Sequence, residues 1–298
     1  MKRALVLSGG GSLGAFEVGA VEYLVLQEKL DFQIYLGTSV GALNVSILGQ
    51  AANYPDLCAM TDKLKSLWLA IKDYHAIYQK TGLGFLPLLT QNYLYRPTGL
   101  ESLLAQNIDL NRLAQNNGRV VKVVTVALET GELLYADSRR PDLSADFRRY
   151  VLASASMPVY FPPVAINGKH WYDGGLRDVT PLGTIFDERP DEIVVVTTYP
   201  LTPDFDPVFS QVAYSTSVLQ VLLRTVDVLT GEIGANDIQT AALINQNIAA
   251  FPEKRRVPIR IIAPQAPFAD TDVLEFNPQM IRERMQQGYA AASQVRFL

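Results

Sequence analysis

Two stretches decide the fold: Ala4-Leu5-Val6-Leu7-Ser8-Gly9-Gly10-Gly11-Ser12-Leu13-Gly14 and Phe32-Gln33-Ile34-Tyr35-Leu36-Gly37-Thr38-Ser39-Val40-Gly41. Each is a short apolar run that meets a glycine-rich turn. Behind the first turn Phe16, Ala20 and Leu24 recur at i+4, with Val18, Val21 and Val25 beside them, so a largely buried helix is expected from about Gly14 to Lys29. Behind the second, small residues predict a helix from about Ala42 to Ala51. Strand, turn and helix twice in succession mean βαβ units, and hence an α/β fold with a mainly parallel sheet and helices on its faces.

Outward from there, Val120 to Leu128 is a β-branched run and a third strand, turning at Glu129-Thr130-Gly131 into Glu132 to Ala136. Val164 to Trp171 predicts a strand pair around Asn167-Gly168, a hairpin turn signal. Ile193 to Thr198 and Ile259 to Ala263 are further core strands. The segment from about Asp56 to Leu104 reads as helical and apolar-rich, interrupted by Gly82, Gly84, Pro87 and Pro97. A last helix has Asn277 as its N-cap, Pro278 at its first position and an apolar stripe of Ile281, Met285, Tyr289 and Ala292. No repeat, low-complexity tract or linker interrupts the chain. It reads as one domain over 1–298, with the motif-bearing core at about 3–182 and strands and helices of 190–298 completing it.

Composition narrows the function. Of 298 residues 48% are hydrophobic and 19% charged, which excludes disorder and fibrous classes. With 26 Lys+Arg against 30 Asp+Glu the net charge is −4, the wrong balance for a nucleic-acid partner. One cysteine, Cys58, excludes a disulfide framework and Cys-based metal sites; two histidines, His75 and His170, argue equally against a His-rich metal centre. No metal or cofactor is implied. No apolar run reaches the roughly 18 residues of a membrane span, and Ala4 to Leu7 is too short for a signal-peptide core. A cytoplasmic protein is expected, in transient contact with a membrane surface at most.

Three constellations can carry chemistry. Gly37-x-Ser39-x-Gly41 puts a serine on a sharp strand-to-helix turn, where flanking glycines let neighbouring chain pass and the helix N-terminus favours negative charge. The bland reading is a plain Gly-rich turn. Gly9-Gly10-Gly11-Ser12-Leu13-Gly14 also follows a strand and opens a helix, so its backbone N–H groups can converge on an oxyanion or a phosphate. A dinucleotide reading needs an acidic residue at the end of the next strand, yet Thr38 and Ser39 stand there. A Walker loop needs a Gly-Lys-Ser/Thr that is absent. Asp173-Gly174-Gly175 is the third, and Asp-Gly is often only a turn.

The histidine count then bears on the mechanism. A Ser-His-Asp site of α/β-hydrolase order needs its histidine after the acid, and none follows His170. His170 and Asp173 lie three apart on a strand and so point to opposite faces. If Ser39 is a nucleophile, a carboxylate must serve as its base.

These blocks, in this order, resemble the patatin-like phospholipase family. Leu128-Glu129-Thr130-Gly131, Ala153-Ser154-Ala155-Ser156-Met157-Pro158, Phe161-Pro162-Pro163-Val164 and Leu274-Glu275-Phe276-Asn277-Pro278 also look like the family. The resemblance implies a three-layer α/β/α sandwich and a metal-independent lipid acyl hydrolase of phospholipase A or lysophospholipase type. Its catalytic dyad would be Ser39 as nucleophile and Asp173 as general base. Backbone amides of Gly9, Gly10 and Gly11 would form the oxyanion hole, with Gly14, Gly37, Gly41, Gly174 and Gly175 supporting the motifs. The family usually has Arg or Lys where this chain has Leu13. Phe85, Leu86, Leu88 and Leu89 are expected to cap the acyl chain and touch the membrane. The alternatives are a catalytically silent lipid-binding module and a nucleotide-binding α/β protein.

Overall fold

The computed structural model describes residues 1–81, 91–200, 218–247, 256–266, 268 and 273–294. The opening strand β1 (Arg3–Leu7) leads through the first glycine turn into helix α1 (Gly14–Glu22), and β2 (Ile34–Thr38) leads through the second into α2 (Val40–Leu48). The first helix is shorter than its apolar periodicity suggests, because its last turn widens over Tyr23–Gln27. The second begins earlier, directly behind Ser39, which serves as its N-cap residue.

Helix α3 (Tyr54–Leu69) starts where the Asn53 side chain accepts the Asp56 amide at 3.0 Å and Pro55 fits the first turn. The helical reading of the following stretch holds only in part. A two-strand ladder, β3 (Gln79–Lys80) with β4 (Tyr95–Arg96), intervenes before α4 (Thr98–Asn107) and α5 (Leu110–Ala114). The chain continues with β5 (Val120–Ala127), β6 (Leu133–Asp137), α6 (Pro141–Ser144) and α7 (Phe147–Ser154). A hairpin of β7 (Val164–Ile166) and β8 (Lys169–Asp173) turns at Asn167 and Gly168, whose φ of 50° and 75° suit a tight two-residue loop. Then come β9 (Glu192–Val196), α8 (Val218–Gln246), β10 (Ile259–Ile262) and α9 (Pro278–Ala292), which Asn277 caps as expected.

The main sheet has eight strands in the order β10-β9-β1-β2-β5-β8-β7, with β6 also on β5. The pairs from β10 to β5 are parallel; β6, β8 and β7 add antiparallel pairs. Alternate strand residues face opposite layers. Leu5, Leu7, Tyr35, Val121 and Val123 pack in one cluster with α1, α2, α3, α7 and α9. Ala4, Val6, Ile34, Leu36, Ile193 and Val195 pack in another with Leu182, Ile185 and α8 residues Ile238 and Ala241. Helices therefore cover both faces of the sheet. The core is tight enough for backbones to touch. A Cβ at Gly19 would lie 1.8 Å from the Met285 carbonyl oxygen, and one at Gly288 would lie 1.9 Å from that of Phe16. These glycines set how closely α1 and α9 approach.

One topological detail positions the site. Along a single edge of β5, parallel β2 ends with Thr38 opposite Val124, and antiparallel β8 ends with Asp173 opposite the next residue, Thr125. The other edge is taken by β6, opposite Lys122 to Val126. Two strands running in opposite directions thus deliver their C-terminal ends to the same point.

Candidate active site

Ser39 stands at that point with φ 54° and ψ −124°, a backbone region that L-residues rarely occupy. Surrounding contacts enforce it. Its amide donates to Ser154 Oγ at 3.0 Å, and the Thr38 hydroxyl donates to the Asp178 carbonyl at 2.9 Å. A Cβ at Gly37 would lie 2.4 Å from the Gly41 carbonyl carbon, and one at Gly41 would lie 2.3 Å from the Leu7 carbonyl oxygen. The glycines of the elbow are thus required by the close pass of β1, β2 and α2. The serine is 7% exposed at the start of α2, whose N-terminal dipole favours charge on its oxygen.

Asp173, 4% exposed, ends β8 beside it. Its amide donates to the Ser156 carbonyl at 3.0 Å, so the stretch closing α7 holds both residues, Ser39 through Ser154 and Asp173 through Ser156. Oδ1 of Asp173 accepts the Gly175 amide at 2.8 Å, and Oδ2 is buried and meets no hydrogen-bond donor among the described residues. Burial pushes the carboxyl up to about 7, against the opposing pull of the Gly175 amide and the neighbouring Ser39 hydroxyl. Serine and carboxylate border one small cavity, and catalytic hydrogen bonds tighten when substrate binds. Gly174 is needed because a Cβ there would lie 2.5 Å from the Val124 carbonyl oxygen.

The glycine loop lies next to the serine, with an ideal Cβ on Gly9 only 3.3 Å from Ser39 Cβ. Its three amides are not equivalent. That of Gly9 donates to the Val179 carbonyl at 3.1 Å, and its carbonyl accepts the Thr198 hydroxyl at 2.6 Å. Gly9 therefore fixes the loop and has no amide to spare, a correction to the expectation of three donors. The amides of Gly10 and Gly11, at φ 151° and 55°, meet no acceptor among the described residues. The Ser12 amide is taken by the Val273 carbonyl at 2.7 Å, and the Leu13 amide closes a tight turn on Gly10 at 3.0 Å. Leu13 itself is buried in the core.

Two cavities share Ser39. One of about 30 Å³ is lined by Gly9, Gly10, Asp173, Gly175, Met157 and Tyr199, among others. The other, about 110 Å³, is apolar; Gly11 and Ser39 line it together with Leu43, Leu64, Trp68, Leu104, Phe161 and Phe276. A small corner holding a carboxylate beside an apolar slot suits an ester carbonyl at the serine and a hydrocarbon chain beyond it. The walls come from α2, α3, α4 and the approach to α9. The cap expected from Phe85, Leu86, Leu88 and Leu89 lies outside the described residues.

Both histidines and several surface arginines are engaged in ion pairs of their own. His170 is exposed and its ring nitrogen meets Glu129 at 2.7 Å; His75, also exposed, meets Asp73 at 3.1 Å. Arg139 pairs with Asp137 and Glu188, Arg140 with Asp142, and Arg149 with Asp146. Among the described residues no group of three metal-ligating side chains occurs, and no helix is long and apolar enough to cross a membrane. Sequence reasoning missed Ser154, Thr198 and Tyr199, whose partners at the site lie 115 or more residues away in the chain for the first two.

Among solved structures, the crystal structure of VipD from Legionella pneumophila is similar over 100% of this chain and 68% of its own, at 13% identity and a TM-score of 0.45. That of the type III effector protein ExoU is similar over 99% of this chain and 54% of its own, at 14% identity and a TM-score of 0.37. No curated protein matches the sequence. The family model described as patatin-like phospholipase matches residues 5–186, a span that holds the glycine loop, the serine elbow and the Asp-Gly-Gly turn. More than half of the chain is matched, and the chain belongs to the patatin-like phospholipase family.

Proposed function

We propose that this protein cleaves carboxylic esters of lipids through a Ser39–Asp173 dyad, with no metal or other cofactor. The observation that carries the reading is the meeting of a strained serine and a buried carboxylate across the edge of β5, both bordering a cavity that continues into an apolar slot.

In the first half-reaction Ser39 Oγ attacks the ester carbonyl carbon while its proton passes to Asp173. A solvated aspartate with a pKa near 4 is a weak acceptor for that proton, and burial makes it stronger. The carbonyl oxygen becomes an oxyanion beside the amides of Gly10 and Gly11, each worth about 3–4 kcal/mol when well aimed. The C–O bond to the alcohol breaks, the alcohol leaves with the proton from Asp173, and the acyl group stays on Ser39. Water then attacks the acyl-enzyme and gives its proton to Asp173. The fatty acid departs and Ser39 recovers its hydrogen.

The apolar slot receives the acyl chain, gaining about 0.8 kcal/mol per methylene buried. Phospholipids and lysophospholipids of either positional type are the substrate class, met by transient contact of a cytoplasmic protein with a membrane surface. The test is a fluorophosphonate probe, followed by release of fatty acid from phosphatidylcholine vesicles with chelator present. Labelling that disappears in Ser39→Ala, with hydrolysis intact in EDTA, is expected. A silent lipid-binding protein gives no labelling, and a calcium-dependent enzyme loses activity in EDTA; either result contradicts the reading.

A further inference from the structure

The C-terminal segment, beyond the stretch that the family model matches, closes over the glycine loop. The Val273 carbonyl accepts the Ser12 amide at 2.7 Å and would lie 2.2 Å from a Cβ on Gly11. Leu274, whose carbonyl accepts the Tyr78 hydroxyl at 3.2 Å, and Phe276 both line the apolar slot. Helix α9 begins at once behind them. From its second turn Arg284, only 4% exposed, sends Nη1 to Ser12 Oγ at 2.8 Å, while its guanidinium lies over the Phe268 ring at 5.7 Å from the centroid. Phe268 in turn packs edge-on against Phe16 of α1.

Arg284 therefore grips the residue that follows the two loop amides that meet no acceptor among the described residues. Ser12 is the middle of the tight turn Gly11–Leu13, which has no side-chain cap of its own. A planar guanidinium, packed on an aromatic face and hydrogen-bonded to that hydroxyl, restrains both the position and the tilt of the turn. Oxyanion donors are effective only when aimed within a few tenths of an ångström of where charge develops.

The geometry points to Arg284 as a positioning residue for the oxyanion loop, acting through Ser12 from a helix some 270 residues along the chain. This rests on the proposed Ser39 chemistry. Because the donors act on the transition state and scarcely on bound ester, loss of the grip lowers kcat and leaves KM nearly alone.

The test is hydrolysis of a soluble short-chain p-nitrophenyl ester by wild type, Arg284→Gln, Arg284→Lys and Ser12→Ala, with rates expressed per Ser39 titrated to completion by a fluorophosphonate. That normalisation removes any fraction lost to misfolding, which a merely structural role would change. Expected are at least a tenfold fall in kcat for Arg284→Gln with KM within twofold, partial recovery in Arg284→Lys, and at least a threefold fall in Ser12→Ala. A kcat within twofold of wild type in Arg284→Gln overturns the proposal; should that variant not fold, an unchanged kcat in Ser12→Ala does so. Wild-type labelling that persists in Ser39→Ala overturns the underlying serine chemistry instead, and with it this role.

Discussion

Asp173 is kept where a carboxylate is uncomfortable. Burial pushes it up to about 7 while its unfolded counterpart titrates near 4. The folded protein then holds a proton that the unfolded chain has lost between those values, so folding is penalised as pH rises through that window and fully so above 7. The penalty is on the order of 4 kcal/mol. Asp173→Asn is expected to raise the thermal midpoint by several degrees at pH 8 and by little at pH 4.5, measured by calorimetry. The opposite ranking of the two pH values contradicts the burial account. In the wild type kcat/KM should rise with pH and level off above about 7, since the base works only when ionised. At this scale much was legible in the sequence. Glycine strings around Ser39 and Asp173 report backbone constraints, and the close contacts at Gly37, Gly41 and Gly174 are those constraints. What was not legible is which amides are already spent. Gly9 looks like Gly10 and Gly11 in sequence and differs only because the Val179 carbonyl lies across from it.

Among elements, the decisive arrangement is the exchange of partners along β5, with β2 and β8 both ending opposite adjacent residues of it. The strands themselves could be read from β-branched runs, and the hairpin from Asn167-Gly168. Their order could not, because the placing of residues 38 and 173 opposite neighbouring residues of β5 is a long-range choice that no local pattern encodes. Helix α7 is the second case. Its closing stretch holds both Ser39 and Asp173, through Ser154 and Ser156. Ser154→Ala leaves the Ser39 amide buried without an acceptor, a loss of about 1–3 kcal/mol, and relaxes the strained elbow. Turnover of a soluble ester should fall at least tenfold while the fold persists by circular dichroism; unchanged turnover contradicts the role given to this contact. The apolar slot gives a third test. Leu104→Trp on α4 fills part of it, so preference among ester substrates should move toward shorter acyl chains. A uniform loss across chain lengths would place the chain elsewhere.

Over the whole molecule, the sheet's two faces bury unlike groups. Between α1 and α2 lies Glu17, wholly buried; burial holds its carboxyl well above the usual range although the Asn44 amide, donating to it at 2.8 Å, pulls it down, and Asn44 also accepts the Trp68 indole at 3.0 Å beside the slot. On the other side α8 docks through Asp237, which accepts the Val179 and Thr180 amides at 3.0 Å each. It lies against Asp178, and burial raises both carboxyls, with the Tyr135 hydroxyl donating to Asp178 and Arg177 nearby. These acids favour folding at low pH, whereas Asp56, lowered by the Ala52 amide and Arg112, and Asp137 and Glu188, lowered by arginine and lysine partners, lose their contribution only below about 4. On these groups stability should therefore peak at about pH 4 and decline toward pH 8. Asp178→Asn should flatten that decline in a series of thermal melts; an unaltered slope removes the acid pair from the account. None of this was visible beforehand, since the burial of Glu17, Asp178 and Asp237 follows from helices closing on the sheet and not from any motif.

The central claim is that a carboxylate, with no imidazole, activates Ser39. The most direct measurement is the turnover number on one soluble ester for Asp173→Asn beside the double variant His75→Ala/His170→Ala. The account predicts a fall of at least about a thousandfold in the first and a rate within twofold of wild type in the second. A double variant that loses activity, or an Asp173→Asn that keeps it, would contradict the claim.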